Sequence, residues 1–335
     1  MRRHVRTLGA VPLTTAAALM ALVAGEGLAE IVLPAGSPST TGVPVGEVLI
    51  GAVLVLCVCS VAARETTVAR RAVEATVAPT RADAANALAV ILAAPVTRWL
   101  AVGAGLGVVV ASALVGLLAG ILVPNYEAPA YCGSFVGMVA PGVLAGLVPV
   151  IAAGAVAGLA YVAADGVFDG FGGKLGTTAF VGCGAVALGT GATPGSGSLP
   201  GVRTAALLVG VAGAAAPATF VVSVRLDRGP VVGSAAVGLV AGLVAPPLLA
   251  GGGTVAAAAF CASFIGMVSP DRLPDGPPVA LAGLVSGLVF VGAMPAFVGF
   301  GGKLGTIAFT SCLLTGALLS AAPGRDPVER WTASR

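Results

Sequence analysis

Charge is what this chain has least of. Asp, Glu, Lys and Arg make up 9% of its 335 residues, where a soluble domain carries roughly a quarter. A chain this poor in charge cannot cover a water-facing surface. Histidine occurs once, as His4, which excludes a histidine-built metal centre and a Ser/His or Cys/His nucleophile pair. The six cysteines (Cys57, Cys59, Cys132, Cys183, Cys261 and Cys312) lie in or beside apolar runs with no CxxC spacing. They form neither a disulfide framework nor a zinc motif. Aromatic residues are 5%, and no basic cluster is interleaved with them, so nucleic acid is not an expected partner.

Hydrophobic residues fill that space, at 57% of the chain with a mean hydropathy of +1.04. Their runs reach the roughly 20 residues that a membrane-spanning helix needs. Abundant Gly and Ala suit close helix packing in lipid, where van der Waals contact drives association; a GC-rich coding sequence gives the same bias. The expected fold is therefore an all-α, polytopic integral membrane protein. Spans are expected near 8–25, 46–63, 100–123, 143–164, 177–192, 203–224, 230–250, 278–296 and 306–322. Shorter apolar stretches near 84–97, 132–140 and 257–269 read as broken or re-entrant helices. The first run follows Arg2, Arg3 and Arg6 and reads as a transmembrane helix rather than a signal peptide.

The one polar segment, Arg64 to Asp83, carries Arg64, Arg70, Arg71 and Arg81 against Glu65, Glu74 and Asp83. It reads as an amphipathic cytoplasmic helix. Together with the N-terminal arginines it puts the N-terminus in the cytoplasm by the positive-inside rule, in a multi-pass protein of the cell membrane. The Gly/Pro/Ser-rich stretch 191–201 reads as a flexible connection. The expected organisation is an N-terminal hairpin and amphipathic segment over 1–83, membrane repeats over 84–192 and 193–322, and a polar tail over 323–335.

That repeat is the strongest feature of the chain. Cys132 to Pro141 (CGSFVGMVAP) returns as Cys261 to Pro270 (CASFIGMVSP), and GFGGKLGT stands at both 170–177 and 299–306. The offsets 261−132, 303−174 and 312−183 all equal 129. Internal repeats in membrane proteins form two equivalent halves about a pseudo-two-fold axis, with the functional site between them. Arg98 and Arg225/Arg228 hold nearly matching positions, and the charge rule favours having both on the cytoplasmic side. That favours parallel halves, with 132–140 and 257–269 dipping in and returning.

GFGGKLGT is the sharpest site candidate. Gly172-Gly173 and Gly301-Gly302 break the preceding helix, and Thr177 or Thr306 is placed to cap the next one. Free N–H groups at a helix start, with a lysine beside them, suit an anionic or carbonyl-bearing solute. Leu175 and Leu304 follow the lysines, so this is not a Walker A loop. Seventeen residues are basic, and only Lys174 and Lys303 are lysine. Arginine fills every other basic role, which points to a need for an ammonium at these two positions; the plainer alternative is a copied lysine that snorkels. Ser134 and Ser263 are expected to face a cavity or a neighbouring backbone. Asp165 and Asp169, one turn apart before Lys174, are expected to pair with it or with Lys303 across the axis. Cys132/Cys261 with Met138/Met267 could offer soft ligands to monovalent copper, a weak pattern beside a lysine. No metal or other cofactor is expected.

A duplicated motif on short broken helices resembles, in architecture alone, repeat-built channels and transporters such as aquaporin-like or urea-transporter-like proteins; their Asn-Pro-Ala pair is absent. The expected function is a transporter or channel for a small polar or anionic solute, with its site between the repeats. The expected partners are the lipid bilayer, the solute, and a second copy or a partner subunit. The rival is a non-transport subunit or scaffold of a larger complex, and an enzyme is disfavoured because no duplicated acid or nucleophile accompanies the lysines. With a cytoplasmic Arg64–Asp83 segment, Glu74→Cys in a background without native cysteines should resist an impermeant thiol reagent applied to intact cells. Rapid labelling there would reverse the orientation.

Overall fold

A computed structural model describes residues 2–32, 45–72, 80–273 and 276–321. The expected outer loop near 34–45 up to residue 44, position 74, Pro274-Asp275 and the tail from 323 lie outside them. Regular structure among the described residues is helical, apart from one isolated bridge between Gly195 and Val298. Twelve α-helices follow in order: α1 Arg2–Val32, α2 Val45–Ala72, α3 Arg81–Arg98, α4 Val108–Leu122, α5 Glu127–Gly137, α6 Leu147–Ala163, α7 Lys174–Thr190, α8 Val202–Phe220, α9 Pro230–Leu248, α10 Gly252–Ser263, α11 Pro277–Gly292 and α12 Lys303–Ala321. Five stretches are long and apolar enough to cross a membrane: Gly9–Val32, Arg81–Gly103, Val202–Arg225, Pro230–Leu248 and Lys303–Ser320.

Several expected boundaries move. Arg64–Asp83 is not one helix. Residues 64–72 continue α2, and Arg81 opens α3 behind a capping box, in which Asp83 N–H donates to Thr80 Oγ1 (3.1 Å) and Thr80 N–H to Asp83 Oδ2 (2.8 Å). The 83/84 boundary thus falls inside α3. The stretch 84–97 belongs to a full-length helix, because Trp99–Gly103 carry it on as a π turn. The real break lies at 104–107, inside the run read as a single span over 100–123. The same turn recurs at Val221–Arg225 after α8. In both helices a proline four residues upstream of the π turn, Pro95 or Pro217, withholds an N–H and loosens the ladder. The 191–201 connection is also tied down: Gly195 and Val298 exchange N–H···O bonds of 3.0 Å each way, and Gly197 N–H donates to Pro295 O (2.8 Å).

Matching residues make matching contacts. Ser112 bonds Ser134 between α4 and α5 at 2.8 Å, and Ser234 bonds Ser263 between α9 and α10 at 2.8 Å. Ala140 N–H donates to Gly299 O (2.7 Å), and Ser269 N–H donates to Gly170 O (2.9 Å). Phe168 and Phe297 take φ of 55° and 53°. Gly173 and Gly302 take φ of 83° and 78°, a left-handed conformation that a residue with a Cβ adopts only with strain.

Close approach sets the geometry. A Cβ on Gly176 would lie 2.5 Å from Gly305 Cα, so α7 and α12 touch backbone to backbone. Along that crossing, Gly173 meets Gly305 and Phe309, while Gly302 meets Gly176 and Phe180. One helix climbs as the other descends. α4 and α9 also run antiparallel, with Gly120 against Val232 and Gly242 against Val110. At both crossings, helices that match in sequence therefore run in opposite directions. α1 gives the scale. Gly9 packs on Ala163 at the end of α6, and Gly27 packs on Gly292 at the end of α11. These equivalent helix ends are thus separated by 18 residues of α1, about 27 Å at 1.5 Å per residue.

Gly305→Leu has no room against Gly176 and should prevent folding or cost at least about 1–3 kcal/mol by overpacking. Gly184→Ala, whose Cβ meets nothing within 4 Å, should be neutral or stabilise by up to about 1 kcal/mol, as expected for Gly→Ala in a helix. Thermal melting of the purified protein reads both.

Candidate functional site

A cavity of about 460 Å³ opens between the two sets of helices, at the end where α1 begins. The first copy contributes Glu127 at the start of α5, Tyr161 on α6, and Asp165, Asp169 and Lys174 around the α6–α7 turn. The second contributes Ser223 in the π turn after α8, Val231 on α9, and Phe264 and Met267 to Pro270 after α10. Lining residues also include Phe135 and Gly176. Phe135 and Phe264 are equivalent residues, and their rings meet with centroids 4.8 Å apart. Tyr131 and Phe260 extend this into a four-ring cluster, at 4.4 Å from Phe135 and 4.7 Å from Phe264 respectively.

The lysines share a position in the repeat but not an environment. Lys174 forms an ion pair with Asp169 at 2.5 Å and lines the cavity, with the Asp169 side chain 61% exposed. Lys303 donates instead to two carbonyls of its own preceding turn, Ala296 O at 2.6 Å and Met294 O at 3.3 Å. Among the described residues it pairs with no acid of the first copy. The reason lies in the repeat: Met294 and Val298 stand where Asp165 and Asp169 stand in the first copy, so backbone oxygens take over the neutralising role. Because α7 and α12 cross antiparallel, the two lysines approach the crossing from opposite ends.

Other expected site residues fall in packing roles. Gly173 is the N-cap of α7 in the left-handed conformation. Thr177 and Thr306 lie one turn inside their helices, donating back to Gly173 O (3.1 Å) and Gly302 O (3.2 Å), so neither is a cap. Gly172 lies against Phe264 and Ile265, and Gly301 against Phe135 and Val136. The double glycines therefore seat each loop on the other copy's SFxGM segment and leave no open cradle on that face. Ser134 and Ser263 are fully buried and bond the carbonyls of Tyr131 and Phe260 (2.7 Å each) as well as their serine partners. Cys132 and Cys261 thiols donate to Leu175 O (3.3 Å) and Leu304 O (3.1 Å). No grouping of His, Cys, Asp or Glu among the described residues could hold a metal ion.

Sequence reasoning missed Glu127, Tyr161, Ser223 and the meeting of Phe135 with Phe264. Glu127 had a signal: it is an acid in apolar surroundings whose repeat partner is Ala256, the same mismatch that marked Asp165 and Asp169. Nearby, Arg272 ties three segments together. Its Nε donates to Asp169 O (3.0 Å), its guanidinium pairs with Glu65 (2.8 Å), and it stacks 4.6 Å from the Phe171 ring centroid. No family model, curated protein or solved structure matches this chain.

The different settings of the lysines give an asymmetric expectation. Lys303→Met strands carbonyls that now receive charged hydrogen bonds and should cost about 1.5–3 kcal/mol. Lys174→Met removes a pair whose acid is largely in water and should cost about 0.2–1 kcal/mol. Thermal melts of the two variants should differ accordingly; equal losses would mean that the lysines do the same job.

Proposed function

We propose that this chain is a multi-pass membrane protein made of two inverted five-helix repeats, α3–α7 and α8–α12, behind an α1–α2 hairpin, and that it moves a small polar solute between the halves. The about 27 Å between equivalent ends of α6 and α11 approaches the roughly 30 Å of a hydrocarbon core. Five helices per repeat, an odd number, accord with inversion. Large apolar side chains project outward along the helices, including Val148 (78% exposed) and Leu188 (87%), as a lipid-facing surface requires. Arg64, Arg81, Arg225, Arg228 and Arg272 gather at the end where α1 begins, which favours a cytoplasmic position for that end and for the cavity mouth.

The observation that carries the transport reading is the cavity itself. It draws its lining from both copies, holds polar groups, and includes the equivalent Phe135 and Phe264 where the repeats meet. Binding between repeats, with rocking or gating about that point, is how repeat-built transporters work. Its polar lining includes Glu127, Tyr161, Asp165, Asp169 and Lys174. A non-transport subunit remains the rival.

Two measurements test this. In a cysteine-free background, Asp169→Cys and Val298→Cys, equivalent positions in the repeats, should label from opposite sides, with Val298→Cys reached from outside intact cells. Labelling from one side would overturn inversion. In proteoliposomes, influx of urea, glycerol, glycine or ethanolamine should exceed the protein-free rate for at least one solute, and a bulky thiol reagent on Ala128→Cys at the cavity wall should block it. The absence of any blockable flux across the set would favour the subunit reading.

A further inference from the structure

The chain leaves α5 and α10 by turns that match bond for bond. Val139 N–H donates to Val136 O (3.1 Å), and Val268 N–H donates to Ile265 O (3.0 Å). Leu144 N–H donates to Ala140 O (3.1 Å), and Leu273 N–H donates to Ser269 O (3.2 Å). Together with the Ala140–Gly299 and Ser269–Gly170 bonds, these give the backbones of 139–144 and 268–273 one course. Their carbonyls hold matching places, but what meets them differs. In the first copy the buried Arg98 guanidinium donates to Val139 O and to Leu144 O (3.0 Å). Over the first two helices of each repeat the offset is 122, since 221−99 and 230−108 agree. Arg98 is therefore matched by Phe220, and Ala101 by Ser223. A phenyl ring donates nothing. Val268 and Leu273 are only 1% and 2% exposed, yet no hydrogen bond reaches either carbonyl among the described residues.

The second turn is held from outside its own repeat instead. Arg272 stands where the first copy has Val143. Its guanidinium pairs with Glu65 of α2 at 2.8 Å, both side chains being mostly buried. Its Nε donates to Asp169 O (3.0 Å), and its charge lies 4.6 Å from the Phe171 ring centroid. Val268, Ser269 and Pro270 line the cavity, and so do Asp169, Gly170 and Phe171. Arg272 thus joins two lining segments to each other and ties both to α2. A buried carbonyl without a donor lowers the cost of moving its segment, because displacement gains a hydrogen bond to water and forfeits none. The 139–144 turn has the opposite balance, since moving it breaks two bonds to a buried charge.

We propose that residues 268–273 are the moving gate of the cavity, that Arg272 latches this gate to Glu65, Asp169 and Phe171, and that the 139–144 turn, clamped by Arg98, stays fixed. A short segment at a helix end, held in one arrangement by a single polar cluster, can exchange between two positions while the helices around it keep theirs. This gate rests on the reading of the cavity as a solute site and gives that site a means of access.

Hydrogen–deuterium exchange of the purified full-length chain in nanodiscs, read by mass spectrometry, tests it without any ligand. Backbone amides of 268–273 should exchange at least about tenfold faster than those of 139–144, the effect of lacking hydrogen bonds to a charged group. Glu65→Gln keeps the shape of the side chain and removes its charge. It should speed exchange at 268–273 by about fivefold or more and leave 139–144 unchanged. Phe220→Arg supplies the missing donor and should slow 268–273 towards the rate of 139–144. Equal exchange at the two turns of the unmodified chain, or unchanged exchange at 268–273 in Glu65→Gln, would overturn the proposal. If Phe220→Arg does not fold, those two comparisons decide the matter without it. Blockable flux with equal exchange at both turns would leave transport standing and remove the gate. A fast 268–273 turn without flux of any solute would do the reverse.

Discussion

The backbone contact between Gly176 and Gly305 is the constraint on which the rest of the architecture depends. Apolar helices in lipid gain nothing by hiding from water, so two of them hold together only as closely as their surfaces interlock. With hydrogen in place of side chains, α7 and α12 meet Cα to backbone. That contact in turn brings each GFGG loop onto the SFxGM segment of the other copy, with cross-copy bonds at Ala140–Gly299 and Ser269–Gly170. Gly170 through Gly176 are therefore read best as one packing device. Its glycines set the distance between the halves, and its left-handed residue turns the chain into α7.

Around this symmetric joint the two matching segments differ in sequence. Phe135, Phe264 and the paired serines remain equivalent because they maintain the joint. Glu127, Asp165, Asp169 and Ser223 are free of that duty and differ from their counterparts. Lys174 and Lys303 show both pressures at once. The scaffold retains an ammonium at the start of each helix, but the surrounding turn decides whether it meets a carboxylate or two carbonyls. A retained residue is thus weaker grounds for a site here than an unmatched one.

Arg98 shows the cost of reading charge by position alone. Its near match to Arg225 and Arg228 suggested that both faced the same compartment. Arg98 is instead buried, its guanidinium donating to Val139 O and Leu144 O where the chain leaves α5. Such an arginine answers to unpaired carbonyls at a broken helix, and the positive-inside rule does not apply to it.

Composition and periodicity determined a good deal about this protein. The scarcity of charge and the length of the apolar runs dictated an all-helical fold with helices able to cross a membrane. The duplicated strings and their constant offset marked which segments would pack alike. The asymmetry of Asp165 and Asp169 against Met294 and Val298 was legible too, because it is a property of aligned letters. The location of the break after α3 was not. Hydropathy runs unbroken through Trp99–Gly107, and only the hydrogen-bond ladder, loosened behind Pro95, decides that the helix ends there. The relative direction of α7 and α12 was also beyond sequence, since the same duplicated string fits parallel and antiparallel neighbours alike. It was decided by which glycines touch. Most of all, the cavity depends on segments far apart in the chain. Glu127, Lys174, Ser223 and Phe264 share no motif, and they line one space because α7 and α12 cross at a point where neither helix has a side chain to hold them apart.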